Sequence, residues 1–241
     1  MPATEFFCDV TEFKSLSSSV FEVHFKPRPA KDGSPAFQFE AGQFISIIVP
    51  GAGPNGRDLR RAYSIASSPE NSTVTLCVKF VEGGPGTNYL YRLRPGDVFR
   101  GFAPYGDFTY EPKEGRRVCF IATGTGIAPF RSMLLSDLYK NSRPVSTWLL
   151  MGVRTEDELV YQDELSAQSG VTWVSAVSQP TSQYSDFKGR VTDWLRSQES
   201  AFPWSETEFY LCGNGAMITE VKAILADRGV PKESIHQEKY Y

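Results

Sequence analysis

The arrangement of apolar and polar positions along the chain changes character near residue 113. Before this point, short apolar-rich runs are separated by turns that contain glycine and proline, which is typical of an antiparallel Greek-key β-barrel. The predicted strands cover residues 20–26, 43–49, 74–81 and 97–101. Residues 87–93 follow a glycine-rich loop and form the single helix expected in this part of the chain.

After residue 113, strand patterns and helix patterns alternate. Residues 118–122 form a continuous apolar run, as expected for a strand buried on both faces. Further strands are predicted at 148–151, 171–177 and 209–212, and helices from Phe130 to Leu138, at 158–167, and from Met217 to Leu225 before a stop at Gly229. This alternation predicts a doubly wound α/β domain with a parallel sheet. We therefore expect two domains, 1–113 and 114–241, joined near residues 111–115.

Composition narrows the class of protein. Of the 241 residues, 41% are hydrophobic and 22% are charged, so the chain can close a core without disulfides. The net charge of −3 argues against a nucleic-acid-binding protein, because such proteins contact phosphates with an excess of basic residues. No apolar run approaches the roughly 18 residues that a membrane span requires. The first five residues lack the features of a secretory signal, so we expect a cytoplasmic protein.

The cysteines exclude the common metal sites. Cys8, Cys77, Cys119 and Cys212 are widely separated and form no Cys-x-x-Cys pair, so neither zinc nor an iron–sulfur cluster has its usual ligand spacing. Three of them are expected to be reduced and buried. Cys212 differs, because it lies at a strand-to-helix junction, where open α/β sheets bind their ligands.

The segment Arg61-Ala62-Tyr63-Ser64 combines three groups that suit a flat, phosphate-bearing ligand. A guanidinium binds phosphate, a tyrosine ring stacks on a planar ring system, and a hydroxyl forms a hydrogen bond with a ring nitrogen. In a regular strand, Arg61 and Tyr63 share one face and Ser64 lies on the other. Taken alone, the segment is more typical of an ordinary surface strand.

Three glycine-containing segments precede predicted helices: Gly83-Gly84-Pro85-Gly86-Thr87-Asn88, Ala122-Thr123-Gly124-Thr125-Gly126-Ile127-Ala128-Pro129 and Leu211-Cys212-Gly213-Asn214-Gly215-Ala216-Met217. Glycine lets the backbone approach a ligand, and the start of a helix presents amides to an anion. The second segment has the placement of a dinucleotide pyrophosphate site, although Pro129 stands where the usual motif has its third glycine. The first is also compatible with a simple hairpin, and the third with a buried strand end.

The chain ends in an aromatic pair, Tyr240-Tyr241. Aromatic side chains gain most from an apolar surface to cover, so we expect a planar ligand near this end.

Together, the four motifs, their order and the aromatic end resemble the ferredoxin–NADP reductase family over essentially the whole chain. Leu76-Cys77-Val78-Lys79 and Gly124-Thr125-Gly126-Ile127-Ala128-Pro129-Phe130-Arg131-Ser132 are similar to segments of plant and bacterial members. The resemblance implies an oxidoreductase with an FAD-binding barrel and an α/β domain for a nicotinamide nucleotide.

The resemblance also implies roles for single residues. Arg61 with Gly86 and Thr87 would hold the FAD pyrophosphate, Tyr63 and Tyr240 would cover the two flavin faces, and Tyr241 would cover the adenine. The remaining residues expected at the flavin are Ala62, Cys77, Val78, Lys79 and Gly84. Thr123, Gly124, Thr125, Gly126 and Pro129 would bind the nicotinamide nucleotide, together with Cys212, Gly213 and Met217. Ser64, Cys212 and Glu238 would shape the hydride-transfer site, from which Tyr240 must move.

The choice between NADP and NAD rests on basic residues. Arg154 and Arg190 match basic positions of the family. Ser178, also expected to bind the nucleotide, ends the strand that bacterial NADP-using relatives follow with a further arginine, but Gln179 stands in that place. We expect NADP, with NAD as the alternative. The electron acceptor would be a separate ferredoxin or flavodoxin, which would dock on a rim of basic residues. We expect the protein to be a monomer. The alternatives are an NADH-dependent reductase component of an oxygenase, a flavin reductase, and a non-catalytic flavin-binding sensor.

Overall fold

The computed structural model describes residues 3–198 and 202–240. The chain divides into two compact units. The barrel unit comprises Met1–Tyr110 and Ala128–Leu138, and the sheet unit comprises Glu111–Ile127 and Tyr139–Tyr241. The domain boundary near residue 113 stays a prediction.

The barrel unit is a curled antiparallel sheet of six strands: β1 (Thr4–Ser15), β2 (Val20–Pro29), β3 (Phe44–Val49), β4 (Leu59–Ser64), β5 (Val74–Lys79) and β6 (Val98–Tyr105). Their order is β4-β3-β6-β1-β2-β5, and an antiparallel bridge between Ile65 and Leu76 closes the sheet on itself. The predicted barrel is therefore confirmed. Helix α1 (Pro85–Arg92) contributes the fully buried Leu90 to the barrel core.

Strand β1 was not predicted, although its alternation is regular. Phe6, Cys8 and Val10 are buried while the residues between them are partly exposed, which is the period of a strand with one face on the core. The strand lies between β6 and β2 in the sheet and is therefore needed for closure.

The sheet unit holds six parallel strands: β7 (Arg117–Thr123), β8 (Thr147–Val153), β9 (Val171–Val177), β10 (Phe187–Lys188), β11 (Thr207–Asn214) and β12 (Ile235–Tyr240). Their order is β10-β9-β8-β7-β11-β12, so the chain moves outward from β7 to β10 and then crosses to β11. This confirms the doubly wound α/β fold. The reversal creates a topological switch point between β7 and β11, where such sheets bind ligands.

The remaining helices are α2 (Ile127–Leu135), α3 (Asp137–Asn141), α4 (Gln162–Ser166), α5 (Val191–Ser197) and α6 (Gly215–Asp227). The helix predicted through Leu138 is broken at Ser136, whose amide and hydroxyl both donate to the carbonyl of Met133. The helix predicted over 158–167 is shorter, because Tyr161 before α4 has a positive φ of 63°. Within residues 3–198 and 202–240, no helix is long and apolar enough to cross a membrane.

Apart from its first residue, Ile127, helix α2 belongs to the barrel unit. The buried hydroxyl of Ser132 donates to the carbonyl of Ser67 at 2.7 Å, and the guanidinium of Arg131 donates to the carbonyl of Ala66 at 2.9 Å. These bonds attach the helix to the segment that directly follows β4.

Candidate active site

Strand β4 presents its motif residues on two faces. Tyr63 lies opposite Ile45 and Arg61 opposite Ile47, so both point to the side of the barrel core, as strand alternation predicts. Tyr63 packs against that core, whereas Arg61 is exposed and donates to the carbonyl of Arg60. Ala62 and Ser64 lie on the other face, and Ser64 is buried. Burial raises the pKa of Tyr63 to about 12, although the nearby positive charge of Arg61 acts to lower it. The phenol is therefore neutral at physiological pH.

The glycine-rich loop meets this strand at Gly86. A Cβ on Gly86 would overlap the hydroxyl of Tyr63 and would lie 3.0 Å from Cγ of Arg61, so the two motifs are in direct contact. The first hydrogen bond of α1 runs from the amide of Asn88 to the carbonyl of Gly84. The amides of Gly86 and Thr87 precede it and are therefore oriented to bind an anion beside Arg61. This arrangement fits a pyrophosphate.

The side chain of Thr87 has a local function. Its hydroxyl lies 3.1 Å from the carbonyl of Val81 and 3.2 Å from that of Gly84, and it accepts from the amide of Val81 at 3.2 Å. The amide group of Asn88, which was not predicted, also donates to the carbonyl of Gly84 at 2.8 Å. Thr87 would therefore contact a phosphate through its backbone and not through its hydroxyl.

Strand β5 carries the other residues predicted on this side. Val78 lies in the barrel core, while Cys77 and Lys79 lie on the opposite face. Cys77 is buried and is paired across the sheet with Glu22. Lys79 is partly exposed.

In the sheet unit, two glycine segments interlock at the switch point. Gly124 to Gly126 form one turn between β7 and α2, and Gly124 has a φ of +53°, which favours glycine. A Cβ on Gly126 would overlap the carbonyl of Cys212. A Cβ on Gly213 would overlap the hydroxyl of Thr123. Both glycines are therefore required for the close approach of the two strand ends.

Asn214 reinforces this junction and was not among the predicted site residues. Its amide donates to the hydroxyl of Thr123 at 3.2 Å, and its side-chain oxygen accepts from the amide of Met217 at 2.8 Å. An asparagine directly before a helix is a sequence signal for such a cap. Met217 is buried in the first turn of α6, and Pro129 is buried in the first turn of α2.

Strand β12 places the end of the chain beside this junction. Glu238 lies opposite Cys212, and Tyr240 lies opposite Asn214. The hydroxyl of Tyr240 donates to the carbonyl of Thr125 at 3.4 Å. Burial and the charge of Glu238 raise the pKa of the Cys212 thiol well above its usual range, although a hydrogen bond with Tyr240 acts in the opposite direction. The sulfur is therefore a neutral thiol. Tyr241 lies outside the described residues.

The residues predicted to select NADP lie at the carboxyl ends of neighbouring strands. The amide of Ser178 donates to the carbonyl of Val153 at 3.1 Å, and the amide of Gln179 donates to that of Arg154 at 2.8 Å. Arg190 caps the start of α5, two residues after β10, which pairs with the end of β9. Arg154, Ser178 and Arg190 are all exposed, so their side chains face solvent at one edge of the sheet.

An antiparallel barrel with a glycine-rich helix start, followed by a parallel sheet with a glycine turn at its switch point, is the architecture expected of an oxidoreductase that uses a flavin and a nicotinamide nucleotide. Residues 7–110 match the model of the oxidoreductase FAD-binding domain, and residues 120–223 match that of the oxidoreductase NAD-binding domain. The cofactors are accordingly FAD and a nicotinamide nucleotide.

Known proteins identify the family. Over 237 residues the chain is 34% identical to ferredoxin–NADP reductase B of Sorangium cellulosum and covers 94% of both chains. It is 31% identical to the 2-halobenzoate 1,2-dioxygenase electron transfer component of Burkholderia cepacia, of which it spans 66%. Its fold matches a ferredoxin NADP+ reductase from Neisseria gonorrhoeae with a TM-score of 0.84, at 22% identity and full coverage of both chains. The chain belongs to the ferredoxin–NADP reductase family and is an FAD- and NAD(P)-dependent oxidoreductase.

Proposed function

We propose that this protein transfers electrons through bound FAD between NADPH and a one-electron carrier protein, a ferredoxin or a flavodoxin. The observation that carries the proposal is the arrangement at the switch point, where Cys212 lies beside Glu238 and Tyr240 contacts Thr125. The similarity to ferredoxin–NADP reductase B over nearly the full length of both chains supports it. Bound FAD would supply the chemistry that links a two-electron hydride donor to a one-electron acceptor.

On the barrel unit, Arg61 and the amides of Gly86 and Thr87 would bind the FAD pyrophosphate. The backbone at Gly86 lies close to the Arg61 side chain, since a Cβ there would be 3.0 Å from Cγ of Arg61. Tyr63 would stack on the flavin ring as a neutral phenol, and Ser64 would donate to the flavin nitrogen N5. Ala62, Gly84, Cys77, Val78 and Lys79 would line the remainder of the flavin site.

On the sheet unit, the turn from Thr123 to Gly126, with Pro129 behind it, would bind the nucleotide pyrophosphate. Cys212 would pack its neutral sulfur against the nicotinamide, next to Gly213 and Met217. Glu238 would hold or relay a proton, because its register beside Cys212 places a carboxyl next to that sulfur.

Tyr240 would act as a gate. Its hydroxyl contacts Thr125, and it forms a hydrogen bond with Cys212. A nicotinamide that packs on Cys212 needs part of the same space, so Tyr240 has to move before the nicotinamide can bind. Tyr241 would cover the adenine of FAD.

NADP is favoured by Arg154 and Arg190, which lie with Ser178 at neighbouring strand ends and are exposed. A guanidinium binds the 2′-phosphate that distinguishes NADP from NAD. Steady-state kinetics with both nucleotides test this assignment, and a higher kcat/KM for NADH would overturn it.

The carrier would dock on a basic rim of arginines: Arg57, Arg60, Arg92, Arg94 and Arg100. Three of them already have partners, since the guanidinium of Arg94 donates to the carbonyl of Tyr91 at 2.9 Å. Arg100 pairs with Glu5, and the guanidinium of Arg60 lies 4.5 Å from the ring centre of Phe102. Carrier reduction that weakens with salt, while NADPH oxidation by an artificial acceptor does not, would support the rim.

We also propose a monomer in the cytoplasm. The four cysteines, all within the described residues, are buried and form no disulfide, which suits a reducing compartment. Light scattering on the purified protein tests the oligomeric state.

The test of the whole proposal is an anaerobic titration of the holoenzyme with NADPH and with NADH, followed by addition of ferredoxins and flavodoxins. Bleaching of the flavin by NADPH and its return to the oxidised spectrum on adding a carrier are expected. Protein that purifies without yellow colour would favour a flavin reductase, and failure of both nucleotides to bleach the flavin would favour a non-catalytic sensor.

A second candidate is an NADH-dependent reductase component of an oxygenase. It is favoured by the similarity to the 2-halobenzoate dioxygenase electron transfer component and by Gln179 at the position of a third arginine. Faster flavin reduction by NADH than by NADPH would select this candidate.

A further inference from the structure

An acidic side chain at the end of β8 is held by the loop that follows β9. Oε1 of Glu156 accepts from the amide of Thr181 and from its hydroxyl, both at 2.7 Å. The same two loops are joined through their backbones, since the amide of Gln179 donates to the carbonyl of Arg154. Glu156 therefore has a fixed position, two residues after Arg154.

The end of β8 matters for nucleotide choice. In a doubly wound sheet, the strand next to the one that carries the glycine turn ends beside the ribose of the nucleotide. An acidic residue there binds the ribose hydroxyls of NAD, whereas an arginine binds the 2′-phosphate of NADP. β8 lies directly beside β7, and the loop after it contains both kinds of residue, Arg154 and Glu156.

We propose that Thr181 is a specificity-determining residue: by binding Glu156, it keeps that carboxylate from the ribose site and leaves Arg154 as the charged group presented there. The inference rests on the proposed function, because it assumes that the nucleotide lies along this edge of the sheet. Its physical basis is charge, since a released carboxylate would repel a 2′-phosphate and attract a free ribose diol.

The charge state of Glu156 agrees with this role. The hydrogen bonds from Thr181 lower the pKa of Glu156, so the group is an anion at neutral pH. The next acidic residue, Asp157, accepts from the hydroxyl of Thr155 at 2.6 Å and is thus also engaged within the loop. Release of Glu156 would therefore let an existing negative charge move toward the group that Arg154 is proposed to bind.

The test uses the FAD-loaded protein and two fragments of the nucleotides, 2′,5′-ADP and ADP, with affinity measured by calorimetry. Thr181→Val keeps the shape of the side chain and removes its hydroxyl, so that Glu156 is held by the amide of residue 181 alone and can turn toward Arg154. We expect it to raise the Kd of 2′,5′-ADP about fivefold, as a carboxylate brought close to the 2′-phosphate would do, and to change the Kd of ADP less than about twofold. Thr172→Val, at an exposed position of strand β9 itself, is the matched control and should change neither.

Two further variants separate charge from loop distortion. Glu156→Gln still accepts hydrogen bonds from Thr181 but carries no charge, so 2′,5′-ADP should bind at least as tightly as in the unaltered protein. The double variant Glu156→Gln/Thr181→Val should recover the affinity that Thr181→Val loses. Weaker binding in Glu156→Gln, no recovery in the double variant, or an unchanged ratio of the two Kd values in Thr181→Val would overturn the proposal.

Failure of the proposed function would be visible separately. If the unaltered protein binds ADP more tightly than 2′,5′-ADP, the assignment of NADPH is wrong. The change that Thr181→Val causes in the ratio of the two Kd values would still decide the role of Thr181. An unchanged circular dichroism spectrum and thermal unfolding midpoint in every variant check that the fold is intact.

Discussion

The hydroxyl of Tyr240, in the last strand of the parallel sheet, donates a hydrogen bond to the carbonyl of Thr125, in the glycine turn after the first strand. The two residues are far apart in the sequence, but β7, β11 and β12 are neighbours in the sheet, so the carboxyl ends of their strands coincide. The end of the chain therefore lies on the turn that we propose to bind the nucleotide.

Replacing Tyr240 by serine should tighten nucleotide binding. The ring that contacts Thr125 and Cys212 is removed, so the nicotinamide no longer has to displace it. If the site is open about 10% of the time in the unaltered protein, the Kd of NADP+ should fall about tenfold, measured by difference absorbance of the flavin.

Two controls accompany this variant. Tyr240→Phe keeps the ring and loses only the hydroxyl, with its bonds to Thr125 and Cys212, so a smaller effect is expected. Tyr241→Ser should mainly weaken FAD retention. If Tyr241→Ser tightens nucleotide binding as much as Tyr240→Ser, the separate roles of the two tyrosines are wrong.

Gly86→Ala should impair FAD binding. The new methyl group would overlap the hydroxyl of Tyr63 and press on Arg61 at 3.0 Å, and relieving such crowding costs about 1–3 kcal/mol. The expected result is a rise of about 5- to 150-fold in the Kd of FAD, measured by fluorescence of the released flavin.

The matched variant is Tyr63→Phe/Gly86→Ala. Because the phenylalanine lacks the overlapping hydroxyl, this double variant should recover part of the FAD affinity, and Tyr63→Phe alone should retain FAD. Equal loss of FAD in the single and double variants would show that contact with Tyr63 is not the cause.

Cys212→Ala should slow hydride transfer more than it weakens nucleotide binding. The sulfur is proposed to set the position of the nicotinamide, and a misplacement of about 1 Å costs about 100-fold in rate. Stopped-flow reduction of the flavin by NADPH measures the step. Cys8→Ala, in the core of the barrel unit, is the control and should leave the rate unchanged. A Cys212→Ala variant that reduces its flavin at the normal rate would remove the sulfur from the mechanism.

Glu208→Gln should destabilise the protein in a pH-dependent way. The carboxylate is 2% exposed and accepts from Lys113 at 2.8 Å and Arg116 at 3.0 Å. Burial acts to raise its pKa, but the bond and charge of Lys113 and the bond from His236 outweigh burial, so the pKa lies below its usual value of 4.5. We expect a loss of about 2–3 kcal/mol in the free energy of unfolding at pH 7, measured in urea.

The sign of the pH effect follows from the lowered pKa. The stabilisation by Glu208 is complete above the carboxyl pKa of the unfolded chain and is lost as the pH falls through the lower pKa of the folded state. The difference in free energy of unfolding between the unaltered protein and Glu208→Gln should therefore disappear as the pH falls below about 4.5. Glu206→Gln removes an exposed carboxylate paired with Arg117 and should cost less than about 1 kcal/mol. A similar loss of free energy of unfolding in Glu208→Gln and Glu206→Gln would show that the burial of Glu208 does not strengthen its ion pairs.

Some elements could be predicted because their signals are local. The apolar run at residues 118–122 indicated a strand buried on both faces, and β7 has that environment. The strand at the end of the chain was missed for the same reason. Ile235–Tyr240 is a partly exposed edge strand with charged residues and no apolar run, and only pairing with β11 makes it a strand.

The sequence by itself determined the barrel followed by an α/β sheet, the glycine turns and the family, since each depends on the order and spacing of residues near one another. Tertiary structure alone decided which of these motifs meet: Gly86 with Tyr63, Gly126 with the Cys212 carbonyl, and Thr181 with Glu156. These contacts join residues on different strands and loops. Their distances depend on strand order and register, which no local pattern of residues encodes.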